Sequence, residues 1–290
     1  MNLDAAVREL IRLTELSKSG RFVVPEVIAE RLSRPQRWHR VRYPLALIEY
    51  RLLLSLAVTG WSHRASHAAA ATWDIEAQKP RVSEDSGTFR RAYRTLKANG
   101  LWAVERIRVG HVLVPLVRLA PAVCFMLRNE LGLEPALTEE DLILSLHPGG
   151  AHRQRSHTAA ICAFTHAARL RGYDTEVCPA LSERQWRPDV WVVSPDGVAT
   201  YVEVQGSGGL PAERIVKWQM QAEYQGYAAI CAVTPKSAER YVAEARRVGV
   251  RRGLVTDLQT LFSGESALWT HRWDEEGVYG VPDPAERAAV

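Results

Sequence analysis

The sequence predicts an α/β protein of two regions, and three observations carry that expectation. Helix-like and strand-like periodicities alternate through the second half of the chain. The first half is mainly helical and closes with a basic helix followed by two β-like runs. Charge is divided unequally: residues 1–120 hold 20 Lys+Arg and 11 Asp+Glu, a balance of +9. The remainder holds 17 (37 less 20) and 22 (33 less 11), a balance of −5. With 290 residues the chain is long enough for two ordinary domains. Its 47% hydrophobic content suffices for real cores, and its 24% charged content argues against global disorder.

Residues 3–18 show helical spacing, with Leu3, Val7, Leu10, Ile11 and Leu13 on one side. A second helix is expected at VPEVIAERL, with Pro25 tolerated in its first turn. YPLALIEYRLLLSLAVTG reads as a long apolar helix ending near Gly60. SHRASHAAAATW reads as a further helix, and the polar stretch DIEAQKPRVSED follows. Ser83 or Ser86 can cap the next helix. Phe89, Tyr93 and Leu96 repeat at helical spacing and are expected to face a core. Arg90, Arg91, Arg94 and Lys97 fall largely on the other side, and Asn99-Gly100 stops the helix.

Two β-like runs, LWAVERIRV and LVPLVRLA, join through a turn at Gly110-His111. A basic helix followed directly by a hairpin resembles a winged helix. In that arrangement the helix enters the major groove of DNA and the hairpin touches the backbone. The expected DNA contacts are Arg90, Arg91, Arg94 and Lys97, with Arg106 and Arg108 on the wing. The same residues also suit a small α+β module with a solvated basic face. Residues 121–150 carry several Pro and Gly and a short acidic stretch, so a boundary is expected near His147-Pro148-Gly149-Gly150. The expected division is a DNA-binding region at 1–120, a linker at 121–150 and an α/β domain at 151–290.

The second half reads in order as αβββαβαβ: HRQRSHTAAICAFTHAARLRG, YDTEVCPAL, RPDVWVV, VATYVEVQ, LPAERIVKWQMQAEYQG, YAAICAVT, SAERYVAEARRVG and RGLVTD. Within it, Asp189 and Glu203 each lie seven residues from Asp196, the centre of the turn Pro195-Asp196-Gly197. In an antiparallel hairpin they face each other, with Cβ atoms about 4.5–5.5 Å apart. Two carboxylates that close repel in a dry site and call for a cation. A hard divalent ion such as Mg²⁺ takes such oxygen ligands. Gln205 points to the same side as Glu203.

RPDVWVV…YVEVQ, with a helix before and a helix and strand after, resembles the PD-(D/E)XK nuclease superfamily. The resemblance implies a mixed central sheet flanked by helices and Mg²⁺ (or Mn²⁺) held by Asp189 and Glu203. It implies the Val204 carbonyl as a further ligand, and metal-dependent cleavage of DNA phosphodiesters. The family's lysine position is Gln205 here, and Lys217 on the next helix could supply that cation. Arg214 shares a helical face with Lys217. The helix at 153–171 lacks the Glu that many members use as an extra ligand. Taken over both halves, the chain is similar to bacterial plasmid replication-relaxation proteins. His157, Pro188, Asp189, Glu203, Gln205, Lys217 and Tyr224 match the order of features in that family. The departures leave a second expectation standing: an inactive nuclease fold that binds DNA in replication, mobilisation or transcription control.

Cys124, Cys162, Cys178 and Cys231 lack metal-finger spacing and are expected to be reduced, mostly buried thiols of a cytoplasmic protein. MNLDAAVREL reads as an amphipathic helix with acids and not as a signal peptide. The nearest apolar run, YPLALIEYRLLLSLAV, is interrupted by Glu49 and Arg51 and falls short of the roughly 18 residues of a membrane span. The partners expected are DNA and, for an oligomer, a second copy of the chain; no membrane partner is expected.

Overall fold

A computed structural model of the chain describes residues 1–16, 47–146, 151–181, 186–206 and 211–280. The helix expected at VPEVIAERL and the boundary expected at 147–150 lie outside the described residues. The chain divides into two compact units, Met1–Glu105 with Pro115–Glu139, and Arg106–Val114 with Glu140–Val290. The architecture is mixed α/β.

The first unit contains helices α1 (Leu3–Leu16), α2 (Leu47–Thr59) and α3 (Arg64–Thr72), and two short paired strands, β1 (Trp73–Asp74) and β2 (Lys79–Pro80). Helix α4 (Gly87–Ala98) precedes a two-stranded ribbon of β3 (Trp102–Val109) and β4 (Val112–Leu119), whose outer part, Arg106–Val114, is counted with the second unit. Along α1, Leu3, Val7, Leu10 and Leu13 are buried as their spacing predicts. Ile11 is instead 41% exposed, because it sits at the margin of that apolar stripe. Of the two candidate caps, Ser86 begins α4, its side chain accepting from the Phe89 N–H at 3.4 Å. Phe89, Tyr93 and Leu96 pack into the core with Leu53, Trp102 and Val117. Within the stretch read as a linker, α5 (Pro121–Leu131) and α6 (Glu139–Leu146) are helical. Val123 and Leu127 belong to the first unit's core, so side-chain burial outweighs the local Pro and Gly content.

The second unit is built on a seven-stranded sheet in the order β11-β10-β9-β8-β7-β6-β5. Its elements are α7 (Ala151–Leu170), β5 (Asp174–Val177), β6 (Val190–Val193), β7 (Ala199–Val204), α8 (Pro211–Gln225), β8 (Ala228–Ala232), α9 (Pro235–Arg247) and β9 (Gly253–Asp257). This is the expected αβββαβαβ order. Helix α10 (Leu258–Phe262) and strands β10 (His271–Trp273) and β11 (Val278–Gly280) extend it. β5, β6 and β7 pair antiparallel, β7-β8 and β8-β9 pair parallel, and β9, β10 and β11 pair antiparallel. β8 is buried along its whole length, as a central strand covered on both faces requires. Gly253 is required where β9 meets β10: a Cβ there would lie 2.0 Å from the Trp273 ring. The four cysteines are free, and Cys162, Cys178 and Cys231 are buried. Among the described residues no helix is long and apolar enough to cross a membrane.

Candidate active site

The turn between β6 and β7 sets the geometry of the site. Gly197 adopts φ +86°, a left-handed conformation that glycine takes without steric cost, and its N–H donates to the Ser194 carbonyl at 2.9 Å. The strands leave this turn in a register that pairs Val193 with Ala199 and Val190 with Val202. Continued by one residue, the register sets Asp189 opposite Glu203, at the end of the ribbon away from the turn. On the other side of β6 the Cys178 N–H donates to the Asp189 carbonyl at 2.9 Å, which ties the Asp189 backbone to the end of β5.

Both carboxylates are completely buried, and all four of their oxygens accept hydrogen bonds. Asp189 Oδ1 lies 3.2 Å from His157 Nε2, and Oδ2 accepts from the Val204 N–H at 2.8 Å. An ionised carboxylate only accepts, so His157 is the donor. Glu203 Oε1 accepts from the Trp186 indole N–H at 2.8 Å. Glu203 Oε2 accepts from the Lys217 ammonium at 2.8 Å. The positive charge that two opposed carboxylates require is therefore supplied in part by the chain itself, from α7 and α8.

Burial and the nearby Asp189 push Glu203 up to about 7, against the opposing pull of Lys217. Burial raises Asp189 as well, but His157 and Lys217 outweigh it and hold the group below the usual carboxylate range. Burial disfavours the charged forms of His157 and Lys217. Asp189 nevertheless raises His157, and Asp189 with Glu203 raises Lys217. One carboxylate is thus firmly ionised, while its neighbour remains short of compensating charge.

The other residues singled out by sequence sort clearly. Gln205 is buried on the Glu203 side of β7, and its backbone N–H donates to the Cys231 carbonyl at 2.7 Å. Its side-chain amide has no hydrogen-bond partner among the described residues. Val204 contributes its N–H to Asp189. Arg214, one face with Lys217 by spacing, instead pairs with Glu244 at 3.0 Å. Arg90, Arg91, Arg94 and Lys97 are all exposed on α4, opposite the buried Phe89, Tyr93 and Leu96. Arg90 lies 3.5 Å from the exposed Asp85. Arg106 and Arg108 are exposed on β3. Residues 207–210, which include Gly208 and Gly209, lie outside the described residues.

Sequence reading did not find Trp186 as a partner of Glu203. Its signal, a Trp beside RPDV, is indistinguishable from a packed aromatic. The His157–Asp189 contact spans 32 residues, and no local spacing encodes it.

A divalent cation fits this donor set in a limited way. Two carboxylates and backbone oxygen, completed by water, suit Mg²⁺ or Mn²⁺. Among the described residues no group of three or more His, Cys, Asp or Glu is placed to hold a metal ion. No protein-family model matches the chain, and neither a curated protein nor a solved structure matches it.

Proposed function

We propose that this chain binds DNA and cleaves its phosphodiester bonds with the aid of Mg²⁺ or Mn²⁺. On this reading the second unit from residue 151 onward is a PD-(D/E)XK-like domain, and the α4–β3–β4 segment acts as a winged helix. The observation that carries the proposal is the buried, opposed pair Asp189 and Glu203 with Lys217 on Glu203. The order α7-β5-β6-β7-α8-β8, with β5-β6-β7 antiparallel and β7-β8 parallel, supports the nuclease-type core. A basic exposed face on α4 and exposed Arg106 and Arg108 support the DNA-binding part. A short bridge from His63 to Leu116 gives the ribbon a further neighbour.

When bound, the cation supplies Lewis acidity for attack on the phosphodiester. Asp189 and Glu203 would hold it, with the Val204 carbonyl beside them. His157 keeps Asp189 ionised and oriented. Lys217 stays protonated, because its pKa is raised by the two carboxylates despite burial. It therefore serves as a fixed positive charge for the phosphate and not as a general base. Gln205, whose amide has no hydrogen-bond partner among the described residues, lies on the same side and can orient water or a phosphate oxygen.

A second reading has its own support. Every carboxylate oxygen is already hydrogen-bonded, two of them by Lys217 and His157, and Gln205 stands where the resembled family has lysine. A DNA-binding protein with an inactive nuclease fold fits that arrangement. Plasmid, linear and branched DNA incubated with Mg²⁺ or Mn²⁺ separates the two readings. Nicking by the wild type that Asp189→Ala and Glu203→Ala abolish, with DNA binding retained, supports the enzyme. Mobility shifts without cleavage under either metal support the inactive fold.

A further inference from the structure

Three aromatic side chains adjoin the carboxylates. Tyr201 lies two residues before Glu203 on β7 and therefore on the same side of the strand. Trp186, whose indole donates to Glu203 at 2.8 Å, meets Tyr201 and Tyr224 at ring-centroid distances of 6.3 and 6.2 Å. Tyr201 and Tyr224 meet at 5.3 Å and 71°. All three contacts are edge-to-face, which locks the rings relative to one another. On α8, Tyr224 follows Lys217 by seven residues, two helical turns, so both project from one side of the helix. Tyr224 remains 41% exposed while Trp186 is buried. A buried indole thus connects the carboxylate to an exposed ring, with an ammonium alongside.

A nucleotide is a ligand that places an anionic group near Lys217 and a flat π-face against Tyr224. We propose that Tyr224, braced edge-on by Trp186 and Tyr201, stacks on an unpaired base, which makes single-stranded DNA the substrate class of this site. The proposal rests on the reading of Asp189 and Glu203 as a phosphodiester-cleaving pair. Bases within a duplex are stacked on their neighbours and expose only their edges, whereas an unpaired base offers a face to an aromatic ring. Gln205, buried and two residues beyond Glu203, adds an amide that can both donate and accept toward the same nucleotide.

The test is binding by the full chain in EDTA, where cleavage does not intervene. The probes are a single-stranded oligodeoxynucleotide carrying one fluorescent adenine analogue and a duplex of the same sequence. The wild type should quench the single-stranded probe. Tyr224→Ala should lose the quench and lower single-strand affinity by about 5- to 150-fold, the range for one base stacked on an aromatic ring. Tyr224→Phe should keep both, since stacking needs the ring and not the hydroxyl. Unchanged single-strand affinity in Tyr224→Ala, or an equal loss for the duplex, overturns the proposal. So does a Phe variant as impaired as the Ala variant. The underlying reading fails by a different observation, namely Asp189→Ala cleaving as well as the wild type, which leaves the quench experiment unaffected.

Discussion

Replacing Glu203 by glutamine removes a charge while keeping the shape, and its effect on stability should depend on pH. Glu203 is fully buried, and burial together with Asp189 raises its carboxyl from 4.5 to about 7. In the unfolded chain the same group titrates near its ordinary value. Between those values the folded protein holds a proton that the unfolded chain has released, so stability falls as pH rises. At about 1.4 kcal/mol for each tenfold change in proton activity, the interval corresponds to about 3 kcal/mol. His157, where Asp189 outweighs the opposing effect of burial, acts in the same direction. Its stabilisation is complete below its unfolded pKa and is lost as pH rises through the folded value. Asp189 is lowered, so its contribution exists above its ordinary value and is lost only at lower pH. The assay is urea unfolding in EDTA at about pH 5 and about pH 8, compared at constant m. The wild type should lose about 2.5 kcal/mol more than Glu203→Gln between the two conditions, because about pH 5 already lies above the unfolded value. A wild type whose stability holds level or rises, or a variant that loses as much, would refute the reasoning.

Trp186→Phe keeps an aromatic ring but removes the hydrogen bond to Glu203 Oε1, and in urea unfolding at about pH 8, where Glu203 is ionised, should cost about 1.5–3 kcal/mol, the range for a bond to a charged group. A cost near zero would mean that the indole does not restrain the carboxylate. Arg94→Ala should weaken DNA binding across sequences and reduce the slope of log affinity against log salt by roughly 0.9, one phosphate contact. An unchanged slope removes Arg94 from the interface. Leu96→Ala opens a hole beneath the inner face of α4, where Leu96 is fully buried, and should cost about 2–5 kcal/mol by thermal or urea unfolding.

Much of the frame was legible because it depends on local periodicity and turn chemistry. The strand-turn-strand at 190–204 is an example: β-branched and aromatic residues mark the two runs, Pro195-Asp196-Gly197 marks the turn, and symmetry about Asp196 sets Asp189 opposite Glu203. Helix α4 is another, with its serine cap, its buried Phe89, Tyr93 and Leu96, and its Asn99-Gly100 stop. Less was legible where burial decides. Pro121 reads as a loop residue, yet it opens α5, because proline suits the first turn and Val123 and Leu127 find the core. β10 and β11 have only three residues each, too short for a period to show.

By itself the sequence determined the α/β class, the order of elements from α7 to β9 and the opposition of two acidic residues across one ribbon. These follow from interactions among neighbours a few positions apart. Only the tertiary structure decided what surrounds those acids. It brought His157 from α7 to Asp189, Lys217 from α8 to Glu203, and Trp186 and Tyr224 into one cluster with Tyr201. It left Arg214, one helical turn from Lys217, paired with Glu244 instead. The reason is that a buried charge is compensated by whichever opposite charge the packing of helices on the sheet delivers, and a side chain's own neighbours in sequence do not specify that partner.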